Sequence, residues 1–234
     1  MKALIDGDIL VYRIGFASQD TTDKLAIARM AEFLEELVMR PEVGDYQGFL
    51  TGSNNYRNEI AKTAPYKGNR VGERPIHYEL LREYLQKAWA FEMQEGQEAD
   101  DAIGIAAYEF DDQEDYIIMT LDKDLDMIRG WHYNFIKDKK YLIEEYEGIV
   151  NFYKQILTGD RVDNIVGLKG IGPVKATKIL KDCKTEADLY KAVLEAYDND
   201  EERVLENARL LWIRREPSQI WSPPHCSTSD GLTQ

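Results

Sequence analysis

The sequence predicts an α/β protein: a mostly parallel central sheet layered between helices, followed by a helical C-terminal part. Two observations predict it. Short apolar runs of strand character alternate with segments of helical periodicity through the first 150 residues, the pattern of a three-layer parallel sheet. Beyond residue 150 the periodicity is helical only. The organisation read from this is an α/β core over 1–150, a helical region over 151–216 and an unpacked tail over 217–234.

Residues 2–15, KALIDGDILVYRIG, read as a buried strand running into Asp-Gly-Asp. Asp6 then lies at the carboxyl end of the strand, where open α/β sheets place their sites. Residues 23–39 bring Leu25, Ala28, Met30, Phe33, Leu34, Leu37 and Val38 to helical spacing, and 46–51, YQGFLT, form a second short strand. Residues 54–74 are loop-like and basic, with Arg57, Lys62, Lys67, Arg70 and Arg74 beside Tyr56 and Tyr66. Lys and Arg next to Tyr suit phosphate contact and base stacking. Lys67 and Arg70, three apart, share a face if the chain makes a helical turn there.

An amphipathic helix over 76–93 is stopped by Gly96, and EADDAIGIAAYEF (98–110) opens another. DYIIMT (115–120) is a buried strand that runs into the acidic turn LDKDLDMIRG. Residues 133–137 and 141–143 form a small strand pair around DKK. A helix begins at 150 and ends at Gly159, and two more cover 186–197 and 201–214. From 217 the chain is rich in Pro and Ser and reads as unpacked.

Composition narrows the function. The chain has 29 Lys and Arg against 43 Asp and Glu, a net charge of −14. That excludes a basic nucleic-acid coat protein and leaves room for an enzyme that holds cations in a carboxylate cluster. No apolar run approaches a membrane span. Lys2 is followed at once by Asp6 and Asp8, unlike a signal peptide. Cys183 and Cys226 have no metal-like spacing and suit a reducing compartment. A cytoplasmic protein is expected.

Four acidic groups fall at turns: Asp6 and Asp8; Glu98, Asp100 and Asp101; Asp122, Asp124 and Asp126; Asp160 and Asp163. Each alone is explained as a helix cap. Together they adjoin a glycine hairpin, Gly170-Ile171-Gly172-Pro173, followed by Lys175, Lys178 and Lys181. Glycine N–H groups and the start of a helix form a phosphate grip. Oxygen ligands without His or Cys point to Mg²⁺ or Mn²⁺. A set this large can hold two ions ~4 Å apart, the arrangement of phosphodiester hydrolysis. His77, His132 and His225 lie outside the clusters.

The order DGD, YKGNR, EADD, DKD, GDRVDN and GIGPVKA, spread over residues 3–180, resembles the flap endonuclease and 5′-nuclease family, and within it the compact bacteriophage exonuclease branch. The resemblance implies a PIN-like 5′-nuclease fold with a helix–three-turn–helix element. It implies Asp6, Glu98 and Asp100 as ligands of a first ion and Asp122, Asp124 and Asp163 of a second, with Asp101 and Asp160 in support. Lys67 and Arg70 would contact the scissile phosphate, and Tyr66 would stack on a terminal base. Gly170 and Gly172, with Lys175 and Lys178, would grip duplex backbone and hold K⁺. The implied activity is 5′→3′ exonuclease or flap endonuclease action on duplex DNA in replication, primer removal or recombination. A monomer is expected, and the tail around Trp221 either stays unpacked or offers a site to a replication-protein partner.

Two departures stand out. Many members carry Asp after the second strand, where this chain has Thr51. The interval from Arg70 to Glu98 is also too short for a helical arch, which implies a lid or clamp and stepwise cutting from a 5′ end. Two other readings compete. In a haloacid-dehalogenase-like phosphatase Asp6 would be the nucleophile and Asp8 the acid, but EADD, YKGNR and GIGP stay unexplained and Leu10 stands where Thr or Val is expected. The other is a DNA-junction binder without catalysis.

Overall fold

The computed structural model describes residues 1–70 and 72–224. Strand β1 (Lys2–Asp6) is followed directly by α1 (Gly7–Ala17), then α2 (Asp23–Val38), β2 (Asp45–Thr51), α3 (Arg57–Ile60), α4 (Tyr78–Trp89), β3 (Glu92–Gln94), α5 (Ala99–Tyr108) and β4 (Tyr116–Met119). A 3₁₀ turn (Asp124–Met127) leads to β5 (Gly130–Asn134) and β6 (Lys139–Ile143). The helical part holds α6 (Glu145–Thr158), the two-residue strands β7 (Gly159–Asp160) and β8 (Ile165–Val166), α7 (Pro173–Leu180), α8 (Glu186–Ala196) and α9 (Glu201–Leu211).

The main sheet has the order β3-β2-β1-β4-β5-β6. Its first five strands are parallel and β6 returns antiparallel to β5. Side chains alternate across it. Leu4, Phe49 and Ile118 enter one core with α5, α6 and α9, while Ala3, Ile5, Leu50 and Met119 enter the other with α1, α2 and α4. The sheet is thus covered on both faces, as parallel sheets require.

Several boundaries differ from the sequence reading. The stretch 2–15 is a strand and a helix. Asp6 accepts from Ile9 N at 3.2 Å and caps α1, and Leu10, Val11, Ile14 and Gly15 bury one helical face. The apolar run Ile9-Leu10-Val11 carries no mark of that switch. Helix α4 stops at Ala90, in the left-handed region at φ 53°, well before Gly96, and the edge strand β3 follows. Helix α6 starts at Glu145, so a boundary at 150 cuts through one helix.

The packed chain also extends past 217. Trp221 is 4% exposed and lies against Phe152, Tyr153 and Tyr190. Its ring is therefore core and not a docking residue of a loose tail; residues 225–234 of the expected tail lie outside the described residues. No helix among the described residues is long and apolar enough to cross a membrane.

Candidate active site

β1 and β4 are neighbours, yet the chain leaves β1 toward β2 on one side and β4 toward β5 on the other. That divergence opens a crevice at their carboxyl ends. Asp6 sits there, and its Oδ2 accepts from Thr120 Oγ1 at 2.8 Å. Thr120 Oγ1 accepts from Asp122 N at 3.0 Å, Asp122 Oδ1 accepts from Asp124 N at 2.9 Å, and the Gln155 amide on α6 donates to Asp124. One relay therefore sets three carboxylates in place from two strand ends.

The start of α5 supplies Glu98 and Asp100, and the β7–β8 turn supplies Asp160 and Asp163. Asp160 accepts from Val162 N and Asp163 N, which fixes the turn. The Tyr66 hydroxyl lies 2.9 Å from Glu98 Oε2 and 2.8 Å from Asp163 Oδ2 and clamps the two segments together. Lys67 pairs with Glu98 and lies 3.5 Å from Asp163, and Arg70 donates to Asp163 at 2.6 Å.

The basic loop is tied to the 161–164 turn by one backbone bond and two asparagine side chains. Lys67 N donates to Asp163 O at 2.9 Å, Asn69 Nδ2 to Arg161 O at 2.7 Å, and Asn164 Nδ2 to Pro65 O at 2.9 Å. Lys67 sits at φ 54°, a left-handed conformation held by those bonds. Asp6, Lys67, Arg70, Glu98 and Asp100 line a cleft of about 620 Å³, and Tyr66, Asp124 and Asp163 line a small pocket that shares Glu98 and Asp100 with it.

The electrostatics are those of crowded, buried carboxylates. Burial, then the charge of Asp8, push Asp6 up to about 7. Burial, then Asp122, push Asp124 up to about 8. Asp8, Asp100 and Asp122 are raised as well, in each case chiefly by burial. Burial opposes the Lys67 charge, but Glu98 and Asp163 raise it on balance. Arg13 and Arg74 line the cleft with Lys67 and Arg70, yet burial and mutual repulsion still raise Asp6, Asp100, Asp122 and Asp124, and crowded, buried, oxygen-only donors suit hard divalent ions. Among the described residues no three carboxylates close on one point by themselves. Lys67 and Arg70 pair with Glu98 and Asp163 in that arrangement.

Three sequence-derived roles change. Asp101 is fully buried. It forms a two-pronged pair with Arg57 at 2.6 and 2.9 Å, and accepts from the backbone N of Glu98 and Arg214. Its acceptors face the core, so it supports the fold and is no ligand. Arg57, read as part of a phosphate-contacting loop, is equally buried and also donates to the carbonyls of Leu210 and Trp212. Tyr66 is 8% exposed, which leaves its ring no open face for a base.

Open aromatics stand elsewhere on the cleft wall. Tyr12 and Phe16 are 39% and 50% exposed, and Tyr12 lies 5.4 Å from Tyr78. Arg74 stacks over Tyr78 at 4.5 Å. The i,i+4 spacing of Tyr12 and Phe16 is the signal that a helical reading of 7–17 would have caught. Gln155, Thr120 and Asp8 also went unassigned.

On the helical part, Gly170 takes φ +77° and Gly172 precedes Pro173 at the start of α7. Lys175 Nζ donates to Gly170 O at 2.8 Å. Gly170, Gly172, Lys175 and Lys178 are all exposed.

A covered parallel sheet whose switch-point crevice gathers carboxylates from four chain segments defines a PIN-like α/β protein with an acidic cleft. Comparison with known proteins refines this. No protein-family model matches the chain. DNA polymerase I of Bacillus caldotenax is 28% identical over 247 residues, which cover 91% of this chain and 28% of that protein. The 5′-3′ exonuclease of Bacillus subtilis (strain 168) is 28% identical over 203 residues, 75% of this chain and 63% of that protein. The chain thus spans less than two thirds of either relative. The flap endonuclease of bacteriophage T5, solved as a pseudo-enzyme-product complex with DNA and metal ions, superposes with a TM-score of 0.66 at 19% identity, over 90% of this chain and 88% of that one. The chain is thus similar in sequence to a 5′-3′ exonuclease and in fold to a flap endonuclease.

Proposed function

We propose that the protein is a divalent-metal-dependent nuclease that hydrolyses phosphodiesters at or near the 5′ ends of duplex DNA. The observation that supports this is proximity: Asp6, Glu98 and Asp100 line one cleft with Lys67 and Arg70, Glu98 and Asp100 also line a small pocket with Asp124 and Asp163, and the charge of Asp122 bears on Asp6, Asp100 and Asp124. Asp6, Glu98 and Asp100 suit one Mg²⁺ or Mn²⁺, and Asp122, Asp124 and Asp163 a second. When bound, such ions supply an acidified water and charge neutralisation at the leaving oxygen.

The protein's own groups do the rest. Lys67 and Arg70 exchange their carboxylate partners for the scissile phosphate and offset charge on its non-bridging oxygens. Tyr12, Phe16 and Tyr78 offer a stacking wall to an unpaired terminal base, the role expected of Tyr66. The hairpin at Gly170 and Gly172, with Lys175 and Lys178, serves as the helix–three-turn–helix element. It contacts backbone, so it positions duplex without reading sequence and is the place where K⁺ would bind.

Stepwise exonuclease action is favoured over threading of long flaps. Among the described residues between Arg70 and Glu98, α4 packs Leu81 and Leu85 into the core and β3 joins the sheet edge, which supports a lid or clamp in place of an arch. We read the protein as a cytosolic monomer acting in replication, primer removal or recombination. A phosphatase reading leaves Lys67, Arg70 and the hairpin without a task, and a passive junction binder leaves the carboxylates without one.

End-labelled duplex incubated with Mg²⁺ or with chelator tests the proposal; equal label release in both would end it. Lys67→Ala is expected to lower turnover at least about 100-fold while duplex affinity changes only a few-fold. Asp122→Asn is expected to bind duplex and not cut. Loss of binding in place of turnover would make Lys67 a positioning contact.

A further inference from the structure

Asp8 is the cleft carboxylate that the expected ligand set leaves out. It stands in the first turn of α1 and lines the same cleft as Asp6, Glu98 and Asp100. Its Oδ2 accepts from Thr51 N at 3.0 Å and its Oδ1 from Arg82 Nη1 at 2.9 Å. Arg82 also donates to the Thr51 carbonyl. A side chain that grows from α1 is thereby pinned to the carboxyl end of β2. Thr51 brings no charge to a cation there, and its Oγ1 accepts from Ala99 N at 2.9 Å and so secures the start of α5. An ionised carboxylate has about four acceptor sites. The bonds to Thr51 and Arg82 leave the Asp8 side chain 25% exposed toward the cleft.

We propose that Asp8 is a working carboxylate of the metal cleft, carried by α1 but held by Thr51 and Arg82 at the carboxyl end of β2. It acts from behind the direct ligands, through its charge and through water on the ions. This rests on the metal-dependent reading given above. The competing role is structural: Asp8 would only neutralise Arg82, which is 8% exposed.

The test is calorimetric titration of the full chain with Mn²⁺ and no DNA, together with the melting temperature of each variant in chelator. The proteins are wild type, Asp122→Asn, Asp8→Asn and the double variant Asp8→Asn/Arg82→Gln. Asp8→Asn is expected to weaken Mn²⁺ binding about 10-fold or more, the usual effect of removing a supporting partner. The double variant removes both charges and leaves no uncompensated Arg. If Asp8 serves the ions, the double variant stays weak; if Asp8 serves only Arg82, wild-type affinity returns and the proposal falls. Should Asp8→Asn not fold, the double variant decides alone. Wild-type affinity in Asp8→Asn, with Asp122→Asn impaired, sinks the role of Asp8 and spares the metal reading. No Mn²⁺ uptake by the wild-type protein sinks both.

Discussion

Removing divalent ions should make stability fall as pH rises, against the habit of proteins whose carboxylates are paired. Asp6 titrates at about 7 in the fold and Asp124 at about 8, while an unfolded Asp titrates at about 3.9. Between those values the folded chain keeps protons that the unfolded chain has released, so the unfolding free energy decreases with pH. For Asp6 alone the loss is on the order of 4 kcal/mol across the interval. Asp8, Asp100 and Asp122 act in the same direction. Carboxylates of the opposite kind, such as Glu206, held low despite burial by Thr63, Lys62 and Arg203, add stability only above the acid range where they titrate.

At roughly 2–4 °C per kcal/mol for a chain of this size, the melting temperature in chelator should drop by about 10 °C from pH 5 to pH 8. Bound as proposed, Mg²⁺ or Mn²⁺ would favour the ionised set and should restore most of that loss at pH 8 and change little at pH 5. Asp6→Asn and Asp124→Asn should each flatten the slope in chelator. Scanning calorimetry over this pH range, with and without divalent ion, measures all of it. A melting temperature in chelator that is flat or rising from pH 5 to pH 8 would refute the claim that these carboxylates crowd one another.

Arg57→Met leaves Asp101 charged and alone in the core, which costs about 3–5 kcal/mol; thermal melts should show a drop of about 10 °C, and Arg57→Lys should not rescue the two-pronged pair. Tyr12→Ala should weaken binding of DNA with an unpaired 5′ base by about 1–3 kcal/mol and leave Mn²⁺ affinity unchanged. Tyr66→Phe should do the reverse, disturbing the Glu98–Asp163 clamp without altering stacking. A chain ending at residue 216 loses the buried Trp221 and should be less stable by about 3–5 kcal/mol; unchanged stability would restore the unpacked tail from 217.

Much of the site was legible because its acids lie at element boundaries, where sequence patterns are strongest. Asp6, Asp122 and Asp124 close apolar runs, and Glu98 opens a helix after Gly96. Failures came where a side chain's direction is set by distant chain. Asp8 reads as a first-turn Asp until Arg82 and Thr51 are seen to hold it. Tyr66 beside Lys67 fits a stacking pair, and only burial between Glu98 and Asp163 reveals a clamp.

The adjacent pair Asp100 and Asp101 makes the limit concrete. Consecutive residues on a helix point about 100° apart, so both cannot face the cleft from the start of α5. Nothing local says which one does. The choice is made by Arg57 and by the 210–214 segment, whose Arg214 carbonyl approaches α5 so closely that a Cβ on Gly104 would lie 2.3 Å from it. Arg57 and the Arg214 N–H fix Asp101 inward, which leaves Asp100 to the cleft. The last turns of the chain therefore orient an acid of the cleft. Substitutions at Arg57 or Gly104 should impair Mn²⁺ binding although neither residue touches the ion.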